Sequence, residues 1–322
     1  MTINQLPDQQ QIYDVLVVGA GPAGMMASIY ASRYKLPNLV IGLQVGGTIT
    51  LAHLVENFPG FTKISGLELA NRMAEQVNYL GAEVVVDGVS ALKKEGEIFT
   101  VGTERGNTFS AKTLILTTGT ERRKLNVPGE KELLGRGVSY CTNCDAPFFK
   151  EKTVILVGGS DAAVSGAIHV SSFASKVYII YRGDKLRAEP IWTQQALNNP
   201  KIEIIYNTNV TEIVSDGAKV TGVKLDRPYK GQSDLKTDGV FIEIGGIPGS
   251  SLAGQLGVKV NGEGFVEVSE RMETNIKGVF AAGDFTTQGL IMPQAIVACA
   301  HGAIAAYSAF KFLKEEENKI SK

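Results

Sequence analysis

Apolar and polar positions along this chain trace the same figure twice: a short buried strand, a glycine turn, a helix and a second strand. Ile12–Val18 is an apolar, β-rich run ending in Gly19, the pattern of a strand buried on both faces. Pro22–Tyr34 follows as a helix with Pro22 near its first turn, where proline is tolerated. Asn38–Ile41 is the next strand, and Thr113–Thr117 is another, closed by Thr118-Gly119-Thr120. The figure then restarts, with Thr153–Val157 as strand, Gly158-Gly159 as turn, Ala162–Phe173 as helix and Lys176–Tyr181 as strand. Val210–Leu225 and Gly239–Gly245 add strand-like runs, and Gly278–Asp284 reads as one more strand. The Ala-rich Gln294–Leu313 reads as a long helix, and the charged tail from Lys314 as a solvated end. Two such units far apart in the chain predict an α/β fold with two Rossmann-like, three-layer ββα nucleotide-binding domains rather than a solenoid. Glycine and proline cluster at Thr117–Arg123 and at Gly245–Ser250. The joins therefore fall there, giving one domain from 1–118 and 249–322 and a second, 119–248, inserted into it.

Composition changes this picture little. Of 322 residues, 44% are hydrophobic and 20% charged, ordinary for a globular chain. The 36 glycines suit many tight strand-to-helix turns. A net charge of −1 makes no electrostatic case for nucleic acid or an anionic membrane. Met1–Gln11 lacks the basic start and apolar core of a signal peptide. The most apolar stretch, Ala295–Phe310, is expected to be too short to span a bilayer. A Cys-x-x-C in such a chain points to redox or metal chemistry in a reducing compartment, hence a cytoplasmic location.

Gly19-Ala20-Gly21-Pro22-Ala23-Gly24 matches G-x-G-x-x-G between a strand and a helix. The first glycine serves the turn, the second close approach to a pyrophosphate, and the third helix-on-strand packing. The second strand ends at Ile41-Gly42 with no acid for a ribose hydroxyl, so the ribose must be held differently. Gly158-Gly159-Ser160-Asp161-Ala162-Ala163 repeats the motif with Ser160 in place of the second glycine and Ala163 in place of the third. Arg182 and Arg187, just after the next strand, favour a 2′-phosphate and hence NADPH, whereas Asp184 keeps NADH open. Between the two motifs lie Cys141 and Cys144. As half of a zinc site they lack companions, since Cys299, His53, His169 and His301 are scattered and unpaired along the sequence. No metal is therefore expected, and the redox reading is preferred over a zinc site or inert thiols. At a helix N-terminus one thiolate of such a pair has a lowered pKa. Asp145 is either its proton shuttle or a plain first-turn residue. Cys299 reads as core.

These motifs, with Gly46-Gly47-Thr48, Val55–Gly60, Thr117-Thr118-Gly119, Thr274–Asp284 and Pro293-Gln294-Ala295, make the chain from Tyr13 to Leu313 resemble the low-molecular-weight thioredoxin reductases, which are FAD-dependent disulfide oxidoreductases. The resemblance implies FAD held by Gly19, Gly21, Pro22, Ala23, Gly24, Gly46, Gly47, Thr48, Asn57, Thr118, Gly119, Gly283, Asp284, Gln294 and Ala295. In it Asp284 bonds the ribityl chain and Asn57 lies near the isoalloxazine ring. It implies NADPH at Gly158, Gly159, Ser160, Asp161, Ala162, Arg182 and Arg187. Cys144 would contact the flavin, Cys141 attack the partner disulfide, and Asp145 act as acid and base. Thioredoxin or a glutaredoxin-like protein would be the partner of a homodimer, with no nucleic acid or membrane. The chain departs from the family pattern in three places. His-Arg-Arg-x-x-x-Arg is here Tyr181-Arg182-Gly183 with Arg187, Ser160 replaces a glycine, and Gly-His-x-Pro is Gly245-Gly246-Ile247-Pro248. Two other readings share most of these motifs: an NADH-dependent or peroxiredoxin-system reductase, and a flavin-bound redox sensor with little turnover.

Overall fold

The computed structural model describes residues 7–320, so residues 1–6 of the polar N-terminus lie outside the described residues. The chain divides into two units. One comprises the chain to Thr50, Leu54–Glu121 and Ile247 onward, and the other Leu51–His53 and Arg122–Gly246.

The first unit begins with β1 (Ile12–Val18), α1 (Pro22–Arg33), β2 (Asn38–Gly42), α2 (Gly66–Tyr79) and β3 (Glu83–Val86), and continues with β4 (Val89–Glu95), β5 (Ile98–Thr103) and β6 (Thr108–Leu116). β3, β2, β1 and β6 run parallel, and β5 and β4 add an antiparallel extension. β1 shows why its sequence is continuously apolar. Leu16 and Val18 enter a core with Phe99, Val101 and Phe109, while Val15 and Val17 enter another lined by helix alanines. Side chains alternate across a strand, so a sheet covered on both faces needs both sets apolar.

The chain then enters the second unit through β7 (Thr120–Arg122) and builds β8 (Val138–Ser139), α3 (Thr142–Asp145), β9 (Thr153–Val157), α4 (Asp161–Ser171), β10 (Lys176–Ile180), α5 (Pro190–Asn198) and β11 (Ile202–Ile205). An antiparallel meander follows, β12 (Val210–Ser215), β13 (Val220–Tyr229) and β14 (Gln232–Lys236), and then β15 (Gly239–Ile242). The central sheet, in the order β11-β10-β9-β15-β8, is parallel throughout. Ile155, Val157, Ile180 and Ile242 share a core with Val210, Ile213, Val220 and Val223 of the meander. α4 buries Ala163, Val164, Ala167 and Val170. The single run expected at Val210–Leu225 is thus two strands around a turn at Asp216–Lys219.

The chain returns through β16 (Gly246–Pro248), which pairs with β7, then forms α6 (Ser251–Gln255), β17 (Val279–Ala281) and α7 (Ala295–Ile320). β6 forks: Phe99 pairs with Ala111 near its start, and β17 pairs with Leu114–Leu116 at its end. Only three residues of the expected Gly278–Asp284 strand are extended pairing partners, because Gly283-Asp284 turn away from the sheet. α7 runs past Leu313 to Ile320, supported in its last turns by Lys314–Glu317 and Lys319–Glu316 pairs. The expectation that this apolar stretch is too short for a bilayer is corrected. As a helix, Ala295–Lys319 is long and apolar enough to cross one by length and composition alone. In this unit it packs on α1 through buried alanines.

Candidate active site

In the first unit the glycine turn after β1 separates two kinds of glycine. Gly19 has φ +116°, and a Cβ there would lie 2.2 Å from the Thr117 carbonyl oxygen. A Cβ at Gly24 would lie 1.9 Å from the Gly19 oxygen. Both are glycine because backbone meets backbone. At Gly21 the nearest atom to such a Cβ is the Gly46 oxygen, 3.9 Å off. Protein packing gives no reason for this glycine, so a cradle is left open beside the start of α1, where Pro22 occupies the first turn. The first N–H groups of a helix lack intrahelical acceptors and favour a phosphate.

Long-range contacts bring Gly46, Thr117 and Gly283 to this turn and tie the remaining candidates to one another. Gly46 N–H donates to Ala20 O at 2.7 Å, which brings Gly46-Gly47-Thr48 alongside. The Thr117 hydroxyl donates to Gly19 O at 2.8 Å. Thr118 Oγ1 donates to Gly249 O, and Gly249 N–H donates to Gly119 O. Gly283 lies against Ala23, where a Cβ would come within 3.2 Å of the alanine methyl. Asn57 Nδ2 donates to Gln294 Oε1 at 3.1 Å, fixing the Val55–Gly60 segment to the residue before α7. Asp284 is half-buried, and its carboxylate accepts no hydrogen bond from a described residue. Burial pushes its pKa up to about 6. An open glycine cradle, a helix start and a half-buried carboxylate without a donor among the described residues are the features that a dinucleotide with a polyhydroxyl chain would complete, so these residues fit FAD. Cys299, buried with Sγ 3.6 Å from Pro22 O, has its thiol pushed up to about 12 by burial. It packs as a neutral core residue. On the same helix His301 Nδ1 is buried with no hydrogen-bond partner among the described residues.

In the second unit Cys141 and Cys144 form a disulfide with Cα atoms 5.3 Å apart. Ser139 and Cys141 set its geometry. Cys141 N–H donates to Ser139 Oγ at 3.0 Å, and Cys144 N–H donates to Cys141 Sγ at 3.1 Å. Cys144 is exposed, whereas Cys141 and Asp145 are half-buried. One residue upstream, Tyr140 Oη donates to Glu130 at 2.5 Å, and the same carboxylate accepts the N–H groups of Leu125 and Asn126. Burial and this bond hold the Tyr140 phenol protonated, above its usual range. α3 is seated on α4: a Cβ at Gly166 would fall 2.9 Å from Thr142 Cγ2. The dithiol and the second glycine turn therefore share α4 as their scaffold.

At that turn Gly158 has φ +143°, and its missing Cβ would meet Glu243 O at 2.2 Å. Glu243 is buried and pairs with Arg122. Ser160 caps α4 without a side-chain bond. The Asp161 carboxylate accepts Glu189 N–H at 2.7 Å, and Gly159 O accepts Arg187 N–H at 2.7 Å. The segment after β10 is thus fastened across the glycine turn at two points. It carries Arg182, Lys185 and Arg187, all exposed, with no side-chain partner among the described residues. Residues Gly158–Ala162, Arg182 and Arg187 accordingly come together. The histidines correct one expectation: His53 and His169 are not scattered but stack with centroids 4.2 Å apart. Burial lowers the pKa of His53 to about 4 and that of His169 below its usual value. Among the described residues no three His, Cys, Asp or Glu side chains assemble as a metal site.

The model of the pyridine nucleotide-disulphide oxidoreductase family matches residues 13–304. A thioredoxin reductase of Bacillus subtilis (strain 168) is 42% identical over 321 residues, covering 97% of this chain and 98% of the relative. This chain belongs to the thioredoxin reductase family. Among solved structures, Lactococcus lactis thioredoxin reductase in its FR conformation is similar with TM-score 0.89 and 36% identity, covering 94% of this chain and 99% of that one. The T. acidophilum thioredoxin reductase is similar with TM-score 0.88 and 38% identity, covering 93% and 98%. Within this family frame, sequence reasoning left Ser139, Glu130 and Lys185 unassigned. Ser139 carried a signal, a hydroxyl two residues before the first cysteine. Lys185 carried one too, a third cation in the run that already held Arg182 and Arg187. Glu130 carried none, because its donors are brought to it only by the fold.

Proposed function

We propose that this protein is a thioredoxin-disulfide reductase that passes two electrons from NADPH, by way of FAD in the first unit, to Cys141–Cys144 and then to thioredoxin or a glutaredoxin-like protein. The observation that carries the reading is the disulfide whose helix, α3, is seated on α4, the helix opened by the second glycine turn. When bound, FAD supplies the two-electron carriage between a nicotinamide and a disulfide. Gly21 leaves room for its pyrophosphate, Asp284 accepts hydroxyl hydrogens, and Asn57 with Gln294 orients the segment at the start of α7. Arg182, Lys185 and Arg187 supply the positive charge for a ribose 2′-phosphate.

In the disulfide form the Cys144 N–H points at Cys141 Sγ, and once the pair is reduced Cys141 leads the exchange as a thiolate. Its Sγ attacks one sulfur of the partner disulfide. That S–S bond breaks, and Asp145 takes the proton of the Cys144 thiol and hands it to the leaving partner thiolate. The Cys144 thiolate then attacks Cys141 Sγ, breaks the mixed disulfide, re-forms the intramolecular one and releases the second partner sulfur as a thiolate, which water protonates. The same reading takes the protein as a cytoplasmic homodimer.

Anaerobic bleaching of the FAD-loaded protein by NADPH, followed by thioredoxin turnover, tests the assignment. Cys141→Ser is expected to keep FAD and its bleaching and to lose thioredoxin turnover by about a thousandfold or more, as removal of a covalent nucleophile does. Unchanged turnover in that variant would remove Cys141 from the reaction.

A further inference from the structure

Two glycines of the second unit, Gly159 and Gly183, have no backbone reason to be glycine, since neither has a positive φ. Both face one ring. A Cβ at Gly159 would lie 2.6 Å from Tyr181 Cδ2 and 2.7 Å from Cγ. A Cβ at Gly183 would lie 2.7 Å from Tyr181 Cε1 and 3.0 Å from Cζ. The ring is 9% exposed and is bedded at its near end on the glycine turn and at its far end on the loop that carries the cations. It has little room to yield. A shift away from position 183 is limited by Gly159, and the backbone around it is pinned by Thr208 N–H donating to Tyr181 O, Asn207 N–H to Gly183 O and Arg187 N–H to Gly159 O.

We infer that Tyr181 is a specificity-determining residue for the nicotinamide dinucleotide, acting by reserving position 183 for glycine. While the phenol ring occupies that bed, no side chain can be added at 183. The charge available to a ribose 2′-phosphate is then limited to Arg182, Lys185 and Arg187. The departure from the family pattern at 181 and the one at 183 are therefore a single coupled change. The inference rests on the reading of this turn as a nicotinamide site.

The test is a cycle of wild type, Tyr181→His, Gly183→Arg and the double variant, each as the FAD-loaded full chain. Two measurements are made on each: dissociation constants of NADP⁺ and NAD⁺, and the kcat/KM ratio of NADPH to NADH for flavin bleaching. Gly183→Arg alone is expected to leave the ratio within about threefold of wild type or to lower it. The double variant is expected to raise it by about tenfold or more, the scale of one charge-assisted contact. Gly183→Ala is the milder probe of the same collision. It is expected to weaken both dinucleotides and lower the melting temperature beside Tyr181, and to do neither beside Tyr181→His. An equal gain from Gly183→Arg with and without Tyr181, or no gain in the double variant, overturns the inference and leaves the nicotinamide reading standing. If neither dinucleotide binds or bleaches any of the four proteins, the nicotinamide reading falls and the inference with it.

Discussion

Two carboxylates illustrate how burial alone does not assign a role. Glu130 is 4% exposed and accepts three hydrogen bonds, from Leu125 N–H, Asn126 N–H and Tyr140 Oη. Its charge is satisfied by protein, so it is part of the architecture beneath Cys141. Asp284 is half-buried with no donor from a described residue, and its pKa is pushed up to about 6 by burial. A carboxylate raised in the folded state contributes stability below its unfolded pKa and loses it as pH rises through the folded value. At pH 7 the ionised Asp284 is therefore a cost to the flavin-free protein. Asp284→Asn is expected to raise the melting temperature of the flavin-free protein at pH 7, by the equivalent of about 1 kcal/mol. It is expected also to weaken FAD binding about tenfold or more, as the loss of a charged acceptor does. Calorimetry of the flavin-free protein and a flavin-fluorescence titration measure the two effects separately. A variant that binds FAD as tightly as wild type would remove Asp284 from the site. Asp284 was legible as a candidate only through the resemblance carried by Thr274–Asp284. Glu130 was not, because nothing in Gly129-Glu130-Lys131 announces that Tyr140 will reach it.

At the scale of elements, α1 and α7 hold the first unit's helical layer by close approach of small residues. Ala23, Ala27 and Ala31 meet Ala298, Ala305, Ala306 and Ala309 in one core. Gly302 is the tightest point: a Cβ there would lie 2.0 Å from Ala23 O and 3.1 Å from Ala27 N. Gly302→Ala is expected to destabilise by about 1–3 kcal/mol, the usual scale of overpacking. Gly254, in α6, is open: a Cβ added there would meet nothing within 4 Å. Gly254→Ala is expected to be neutral or to stabilise by up to about 1 kcal/mol through helix propensity and a less flexible unfolded chain. Urea denaturation of both variants checks the pair, and equal stabilities would sink the packing argument. The Ala-rich run made α7 legible as a helix, but not its reach to Ile320. Its charged end reads as a tail until Lys277, distant in sequence, is seen to pair with Glu316. The turn that splits the meander was legible in principle from Asp216-Gly217, whose aspartate accepts the N–H groups of Ala218 and Lys219.

At the scale of the whole molecule, the chain does not divide at two joins alone. Leu51–His53 belongs by its contacts to the second unit, although Thr50 and Leu54 on either side belong to the first. His53 stacks on His169 of α4, which also meets Phe173 edge-on. Both imidazoles are held neutral by burial, His53 with a pKa lowered to about 4. A histidine lowered in the folded state stabilises above its unfolded pKa and loses that contribution as pH falls toward the folded value. Wild type is therefore expected to lose more melting temperature between pH 7 and pH 4.5 than His169→Phe, which keeps a ring to stack but cannot be protonated. Parallel curves for the two proteins would show that the stack does not titrate with folding. Asp284 acts in the opposite sense over part of this range, so the difference between the two curves is the quantity to read.

The sequence by itself determined the two strand–turn–helix units, the α/β class and the Cys-x-x-C between two glycine turns. Those features are written in side-chain period and in residues whose backbone freedom is local, and both act over a few neighbours. Only the tertiary structure decided that Gly21 opens on a cradle while Gly19 and Gly24 are closed by backbone, that one ring accounts for both Gly159 and Gly183, and that His53 lies against His169. Gly21 and Gly46, Gly159 and Tyr181, and His53 and His169 are remote along the chain, and no pattern read one segment at a time contains the distances between them.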